Sequence, residues 1–153
     1  LRSSVGGLLY GCDICQDVCP YNRKFASELS EPAFAPRPAL ADKDARTLAR
    51  ELLSMSQAEF SVAFKGSPMK RAKRRGLARN AAVALGNVGT EGDVPALASA
   101  LSHDEPLARA HAAWALGRVG SAAAADALRV RLRDEPDDAV LSELRAALSA
   151  LEG

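Results

Sequence analysis

From Asp44 onward, apolar residues return every three or four positions, the spacing that lines one face of an α-helix. Asp44 is placed to cap a helix running through Leu48, Leu52 and Met55. Ser56-Gln57-Ala58-Glu59 is a capping-box sequence that opens a second, short helix carrying Phe60 and Phe64. Gly66 stops that helix. Ser67 caps again, Pro68 suits a first helical position, and the pattern predicts one long helix from there to about Val88, closed by Gly89. Thr90 begins the next element, and further helices are predicted over 94–101 and 123–132. Upstream of residue 44 no such period exists. Residues 1–25 are rich in glycine and cysteine, and Pro32, Pro36 and Pro38, with Phe34 among them, read as an extended connector because proline lacks the N–H and restricts its predecessor.

The helical part repeats itself. Leu77-Ala78-Arg79-Asn80-Ala81-Ala82-Val83-Ala84-Leu85-Gly86-Asn87-Val88-Gly89 returns as Leu107-Ala108-Arg109-Ala110-His111-Ala112-Ala113-Trp114-Ala115-Leu116-Gly117-Arg118-Val119-Gly120, offset by 30 at the leucines and 31 at the glycines. A weaker third copy stands at Leu144-Arg145-Ala146-Ala147-Leu148-Ser149-Ala150-Leu151. A helix pair recurring at this interval cannot bury its apolar face alone, so neighbours must stack into a solenoid. The pattern resembles the HEAT-like repeats in a compact form, shorter than the usual ~40–47 residues. The expected fold class is therefore all-α: a HEAT-like α-solenoid preceded by a cysteine-rich, ferredoxin-like loop fragment. The expected divisions are 1–29 for that fragment, 30–43 for the connector and 44–153 for the repeats. Aromatic content of 5% against 48% hydrophobic residues agrees, since helices packed through alanine and leucine need few rings.

Charge changes the picture locally. The chain has a formal net charge of +1, yet no Asp or Glu lies between Phe60 and Thr90, where Lys65, Lys70, Arg71, Lys73, Arg74, Arg75 and Arg79 all occur. Ordinary solvated faces mix signs. These cations are candidates for phosphate contacts, with a merely solvated or intramolecular face as the alternative. No aromatic stacking partners accompany them, so recognition would be of backbone and shape, as suits a folded RNA.

All three cysteines fall in Gly11-Cys12-Asp13-Ile14-Cys15-Gln16-Asp17-Val18-Cys19-Pro20, spaced C-x2-C-x3-C and followed by proline. Soft thiolates so spaced match the last three ligands of the bacterial ferredoxin run, in which the final cysteine serves a different cluster. On that pattern Cys12 and Cys15 bind one cluster and Cys19 reaches another. A zinc half-site and inert thiols are the alternatives. Clustered thiols rather than a disulfide framework, no signal pattern and no run of about 20 apolar residues point to a cytoplasmic protein without a membrane partner. The start at Leu1, without Met, reads as a chain whose N-terminal part lies upstream. His103, His111 and Trp114 are expected to be structural, Asp13 and Asp17 to be solvated or to tune a cluster, and no catalytic set is evident.

Three stretches together, Tyr10 to Asn22, Phe64-Lys65-Gly66-Ser67-Pro68-Met69-Lys70-Arg71, and Arg79 to Asn87, resemble the C-terminal part of the epoxyqueuosine reductase family. Tyr21 stands where that family often has tryptophan. The resemblance implies an oxidoreductase that converts epoxyqueuosine to queuosine in tRNA with two [4Fe-4S] clusters and cobalamin. It implies cluster ligation by Cys12, Cys15 and Cys19, a grip by the basic helix on the anticodon arm, an external electron donor and a monomer. The cobalamin pocket and the catalytic acid would lie upstream, leaving this part inactive alone. Two other readings remain: a general iron–sulfur electron-transfer protein without an RNA substrate, and a HEAT-repeat interaction module.

Overall fold

The computed structural model describes residues 1–28 and 31–152. Two short helices, α1 (Ile14–Asp17) and α2 (Pro20–Phe25), carry the cysteine region. Seven more follow: α3 (Ala45–Ser54), α4 (Gln57–Ala63), α5 (Lys73–Val88), α6 (Val94–Ala100), α7 (Pro106–Val119), α8 (Ala122–Leu132) and α9 (Asp138–Glu152). The described residues contain no strand. Helices α3, α5, α7 and α9 pack side by side in one layer. Behind them α6 sits against α3, α7 and α8, and α8 against α7 and α9. This is the all-α solenoid that the repeats predict. The expected division between residues 29 and 30 lies outside the described residues; Pro32–Phe34 forms a 3₁₀ turn within the connector.

The caps fall where the sequence puts them. Asp44 Oδ1 accepts from the Thr47 N–H at 2.8 Å. Ser56 and Glu59 form a complete capping box, each side chain accepting from the other's backbone N–H. Such caps satisfy donors that a helix start otherwise leaves open. The single long helix expected from Pro68 is not continuous. Pro68–Ala72 is a 3₁₀ turn, Lys73 takes a φ of +59°, and α5 begins only there. Apolar periodicity cannot separate one helix from two whose faces meet the same core. Here Met69 on the turn and Leu77 on α5 both reach it, from either side of the break.

Leu52, Leu77, Leu85, Leu97, Leu116, Leu128, Val140 and Leu144 form the centre of that core. The alanines of the repeat do something different: they let the front-layer helices approach closely. The glycine of each of the first two copies marks the closest point. A Cβ at Gly86 would lie 3.0 Å from Ala115 Cα and 2.5 Å from a Trp114 ring carbon. A Cβ at Gly117 would lie 2.9 Å from Ala147 Cβ and 3.0 Å from its Cα. The recurring Ala-Leu-Gly is thus a packing code between successive helices. Trp114, half-buried at the position of Val83, covers the first of these contacts.

Two fully buried carboxylates latch one repeat to the next. Asp93, beyond α5, accepts from Arg46 at 2.7 Å and Arg50 at 2.7 Å, both on α3. Glu135, between α8 and α9, accepts from Arg109 of α7 at 2.9 and 2.7 Å and from Arg131 of α8 at 2.8 Å. Burial raises the Glu135 pKa, but the two guanidinium groups more than reverse this and bring it down to about 2. Buried charges of this kind are tolerable only when every lone pair is matched.

Candidate functional site

The cysteine region is built from turns rather than from packing. Gly11 holds a left-handed φ of +76°, which glycine adopts without steric cost, and delivers the chain to Cys12. Cys15 lies in α1, and Cys19 stands at the N-terminal boundary of α2 with Pro20 in the first helical position. Asn22 ties the two helices together by donating to the Gln16 side-chain and backbone oxygens at 2.7 and 3.2 Å. All three thiols are free; Cys12 and Cys15 are exposed and Cys19 is half-buried. Among the described residues no three His, Cys, Asp or Glu groups gather tightly enough to hold one metal ion. Free thiols beside a left-handed glycine suit cluster ligation by chemistry, and they are one short of the four that a cluster takes. Around them Ile14, Val18, Tyr21 and Phe25 are all exposed, Tyr21 at 74%.

The seven cations divide. Lys65, Lys70, Arg71, Lys73 and Arg75 are exposed, and Arg79 is half-buried with its guanidinium on Asn80 Oδ1 at 2.8 and 3.0 Å. Among the described residues none of these six is paired with a carboxylate. Arg74 differs. Its side chain is largely covered, pairs with Asp104 and reaches His103 Nε2 at 2.8 Å. A guanidinium can only donate, so Nε2 accepts from Arg74, while Nδ1 lies 3.0 Å from the Glu105 backbone nitrogen and 2.9 Å from Asp104 Oδ1. Burial and then Arg74 hold the His103 pKa below its ordinary value, so the ring is neutral and structural. His111 likewise engages the Leu107 carbonyl through Nδ1 at 2.8 Å. Six of the predicted cations remain available to a ligand, and Arg74 belongs to the fold. A further exposed cation, Arg37, stands beside them, donating to the Lys65 carbonyl at 3.0 Å.

The two groups of residues are neighbours. The Tyr10 hydroxyl, two residues before Cys12, donates to the Pro68 carbonyl at 2.9 Å, at the start of the turn that carries Lys70 and Arg71. Residues 1–10 lie along the front layer. Asn80 donates to the Leu9 carbonyl at 2.7 Å, and Asn87 to the carbonyls of Arg2 and Gly6 at 2.8 and 3.1 Å. Arg2 forms a two-point pair with Glu143 of α9, at 2.5 and 2.9 Å, and lies over the Trp114 ring. Reading the sequence alone missed these residues. Their one available signal is two asparagines seven apart inside an alanine-rich helix, a costly choice there.

The family model for HEAT repeats matches residues 69–149. The chain is 40% identical over 121 residues to the epoxyqueuosine reductase of Xanthomonas campestris pv. campestris, covering 78% of this chain and 33% of that protein. It is 32% identical over 152 residues to the epoxyqueuosine reductase of Bacillus subtilis, covering 99% of this chain and 38% of that protein. A crystal structure of epoxyqueuosine reductase with an epoxyqueuosine-modified tRNA-Tyr stem loop superposes with a TM-score of 0.83 at 30% identity, over 99% of this chain and 40% of that one. The chain thus spans a third to two fifths of the length of these relatives. Among its described residues no helix is long and apolar enough to cross a membrane.

Proposed function

We propose, from the premise that this chain belongs to the HEAT-repeat family and is similar over nearly its whole length to epoxyqueuosine reductases, that it is the C-terminal part of such a reductase. Cys12, Cys15 and Cys19 are cluster ligands, divided between two [4Fe-4S] clusters whose other ligands lie upstream. When bound, such clusters supply single electrons at low potential. That is what reductive opening of an epoxide requires, and no side chain can provide it. Cobalamin and the catalytic acid belong to the upstream part, so the chain alone holds no stable cluster and turns over nothing. Lys65, Lys70, Arg71, Lys73, Arg75 and Arg79 contact phosphates of the tRNA anticodon arm, while Arg74 keeps the solenoid in shape. The protein acts in the cytoplasm, as a monomer fed by an external electron donor.

One observation carries this reading: an acid-free cationic turn stands beside three free thiols, joined to them by the Tyr10 to Pro68 hydrogen bond. An interaction module without chemistry needs no thiols there, and a simple electron carrier needs no unpaired cations. The start of α5 adds to this, since it has no side-chain cap and no acidic residue in its first turn. Its dipole therefore favours an anion, as phosphate-binding helix starts do.

The test is binding of a tRNA anticodon stem loop to the chain across a salt series. Affinity should fall steeply with salt, and replacing Lys70, Arg71 and Arg75 by glutamine should reduce the logarithmic slope by about two to three units. A flat salt response would remove the RNA from the reading. Iron counting after anaerobic reconstitution tests the thiols, and stoichiometric, oxygen-stable [4Fe-4S] on this chain alone would refute the division between two clusters.

A further inference from the structure

Residues 1–10 contain no buried side chain, and only Leu9 reaches the edge of the core. Apolar burial therefore does little to hold them, and the work falls to their backbone carbonyls. Residues 2–5 form a 3₁₀ turn, and three carbonyls of the segment find partners on α5. Asn87 takes the carbonyls of Arg2 and Gly6, and Asn80 takes that of Leu9. Seven residues apart, the two amides sit on one face about two helical turns, or ~10 Å, apart. The segment accordingly runs back along α5, from the end near Asn87 to the end near Asn80, and finishes with Tyr10 on Pro68. Its beginning is anchored across the layer by Arg2 on Glu143. Gly7 lies flat on the helix, where an added Cβ would already touch Val88 and Ala45 at 3.7–3.8 Å.

We infer that Asn80 and Asn87 are positioning residues: they clasp residues 1–10 to α5, so that the cysteine loop and the basic turn are presented at a fixed separation. Cys12 lies two residues beyond Tyr10, at most ~7 Å of chain. Lys70 lies two residues beyond Pro68. With the clasp closed, the solenoid's grip on an RNA fixes where the thiols stand relative to that RNA. Neither asparagine touches RNA or a cluster. Each acts through the backbone that it holds.

This inference rests on the reading above for its functional half, and its structural half stands alone. The first measurement is backbone hydrogen exchange on this chain. Replacing both asparagines by aspartate removes the donors and turns oxygens toward the carbonyls. Exchange at the hydrogen-bonded amides of Ser4 and Leu8 should rise about tenfold while that of Ala81 to Leu85 holds within about twofold. Tyr10→Phe, which removes one exposed hydroxyl and cannot unfold the solenoid, should accelerate exchange locally, at the Leu8 amide. The second measurement is turnover of an epoxyqueuosine-modified stem loop by the full-length reductase carrying Asn87→Asp alone, which leaves the Arg79–Asn80 contact intact. A loosened clasp should lower kcat about tenfold at unchanged KM and unchanged iron content. Unchanged exchange in both variants overturns the clasp. Faster exchange with kcat unchanged, or a loss entirely in KM, overturns the positioning role. A wild-type chain that fails to bind the stem loop at any salt removes the functional reading instead, leaving exchange to decide the clasp.

Discussion

The solenoid and the cysteine segment are built on opposite terms. In residues 44–152 the hydrophobic residues of successive helices close on each other and the buried carboxylates are matched by arginines. In residues 1–28 nothing is buried, three thiols are free, and Ile14, Val18, Tyr21 and Phe25 face outward. A repeat array draws stability from its own neighbours, whereas a segment that buries almost no apolar area cannot offset its conformational entropy by itself. It is held here by hydrogen bonds from α5 and by the Arg2–Glu143 pair. The difference teaches where each region's order comes from: the solenoid from its core, the segment from the solenoid's surface.

The largest effect that can sharpen this contrast is loss of a latch inside the solenoid. Arg109→Ala leaves Glu135 buried with one arginine instead of two, and breaking a buried pair in this way costs about 3–5 kcal/mol. Urea unfolding followed by circular dichroism should show the midpoint fall without a change of slope, while cysteine accessibility at pH 7 in native conditions stays as in the parent. Accessibility that rose in parallel would mean that the two regions share one source of order.

The same latch sets an acid limit. Against the cost of burial, hydrogen bonds from Arg109 and Arg131 hold the Glu135 carboxyl at about 2 in the folded chain, below the ordinary 4.5. Its contribution is therefore complete above about pH 4.5 and is lost as pH falls toward 2, because the unfolded chain binds the proton first. The amount is about 3 kcal/mol. Denaturant midpoints measured between pH 6 and 2.5 should decline across that window in the parent and decline much less in Glu135→Gln, which starts from a lower stability.

Next comes close approach between helices. Gly86→Ala drives a Cβ against Ala115 and the Trp114 ring, and overpacking of this kind costs about 1–3 kcal/mol. The Trp114 fluorescence should change with it, since the ring must shift. An equal cost for Ala substitution at Gly92, where only Thr90 Oγ1 lies within reach at 3.7 Å, would argue against close packing as the reason for the repeat's glycine, since helix propensity alone favours alanine.

How much of this was legible depends on how local the cause is. Asp44, Ser56 with Glu59, and Ser67 announce their helix starts because a cap is chemistry between residues two or three apart. The repeat was legible because stacking imposes one code on every copy. The break at Lys73 was not, since Met69 and Leu77 keep helical spacing through it. Arg74 read as one cation among seven because its partner Asp104 lies 30 residues away. Glu135 and Arg109 were invisible for the same reason. Asn80 and Asn87 bind backbone carbonyls, which every residue has, so no partner could be read from the sequence. The cysteines were legible as a spacing.

The smallest expected effect is the one that separates the regions most cleanly. Replacing Cys12, Cys15 and Cys19 together by serine changes three side chains that touch no core residue and make no hydrogen bond through sulfur. Surface substitutions of this sort move stability by less than about 0.5 kcal/mol. The urea midpoint should therefore coincide with that of the parent, although every thiolate is gone. If the midpoint fell by as much as in Gly86→Ala, the thiols would be part of the fold, and their exposure would need a structural explanation. If it holds, the sequence C-x2-C-x3-C serves nothing within these 153 residues. A spacing that the fold does not use has its purpose in what binds to it, and free thiols with exposed apolar neighbours are suited to a cluster and to the protein surface that encloses one.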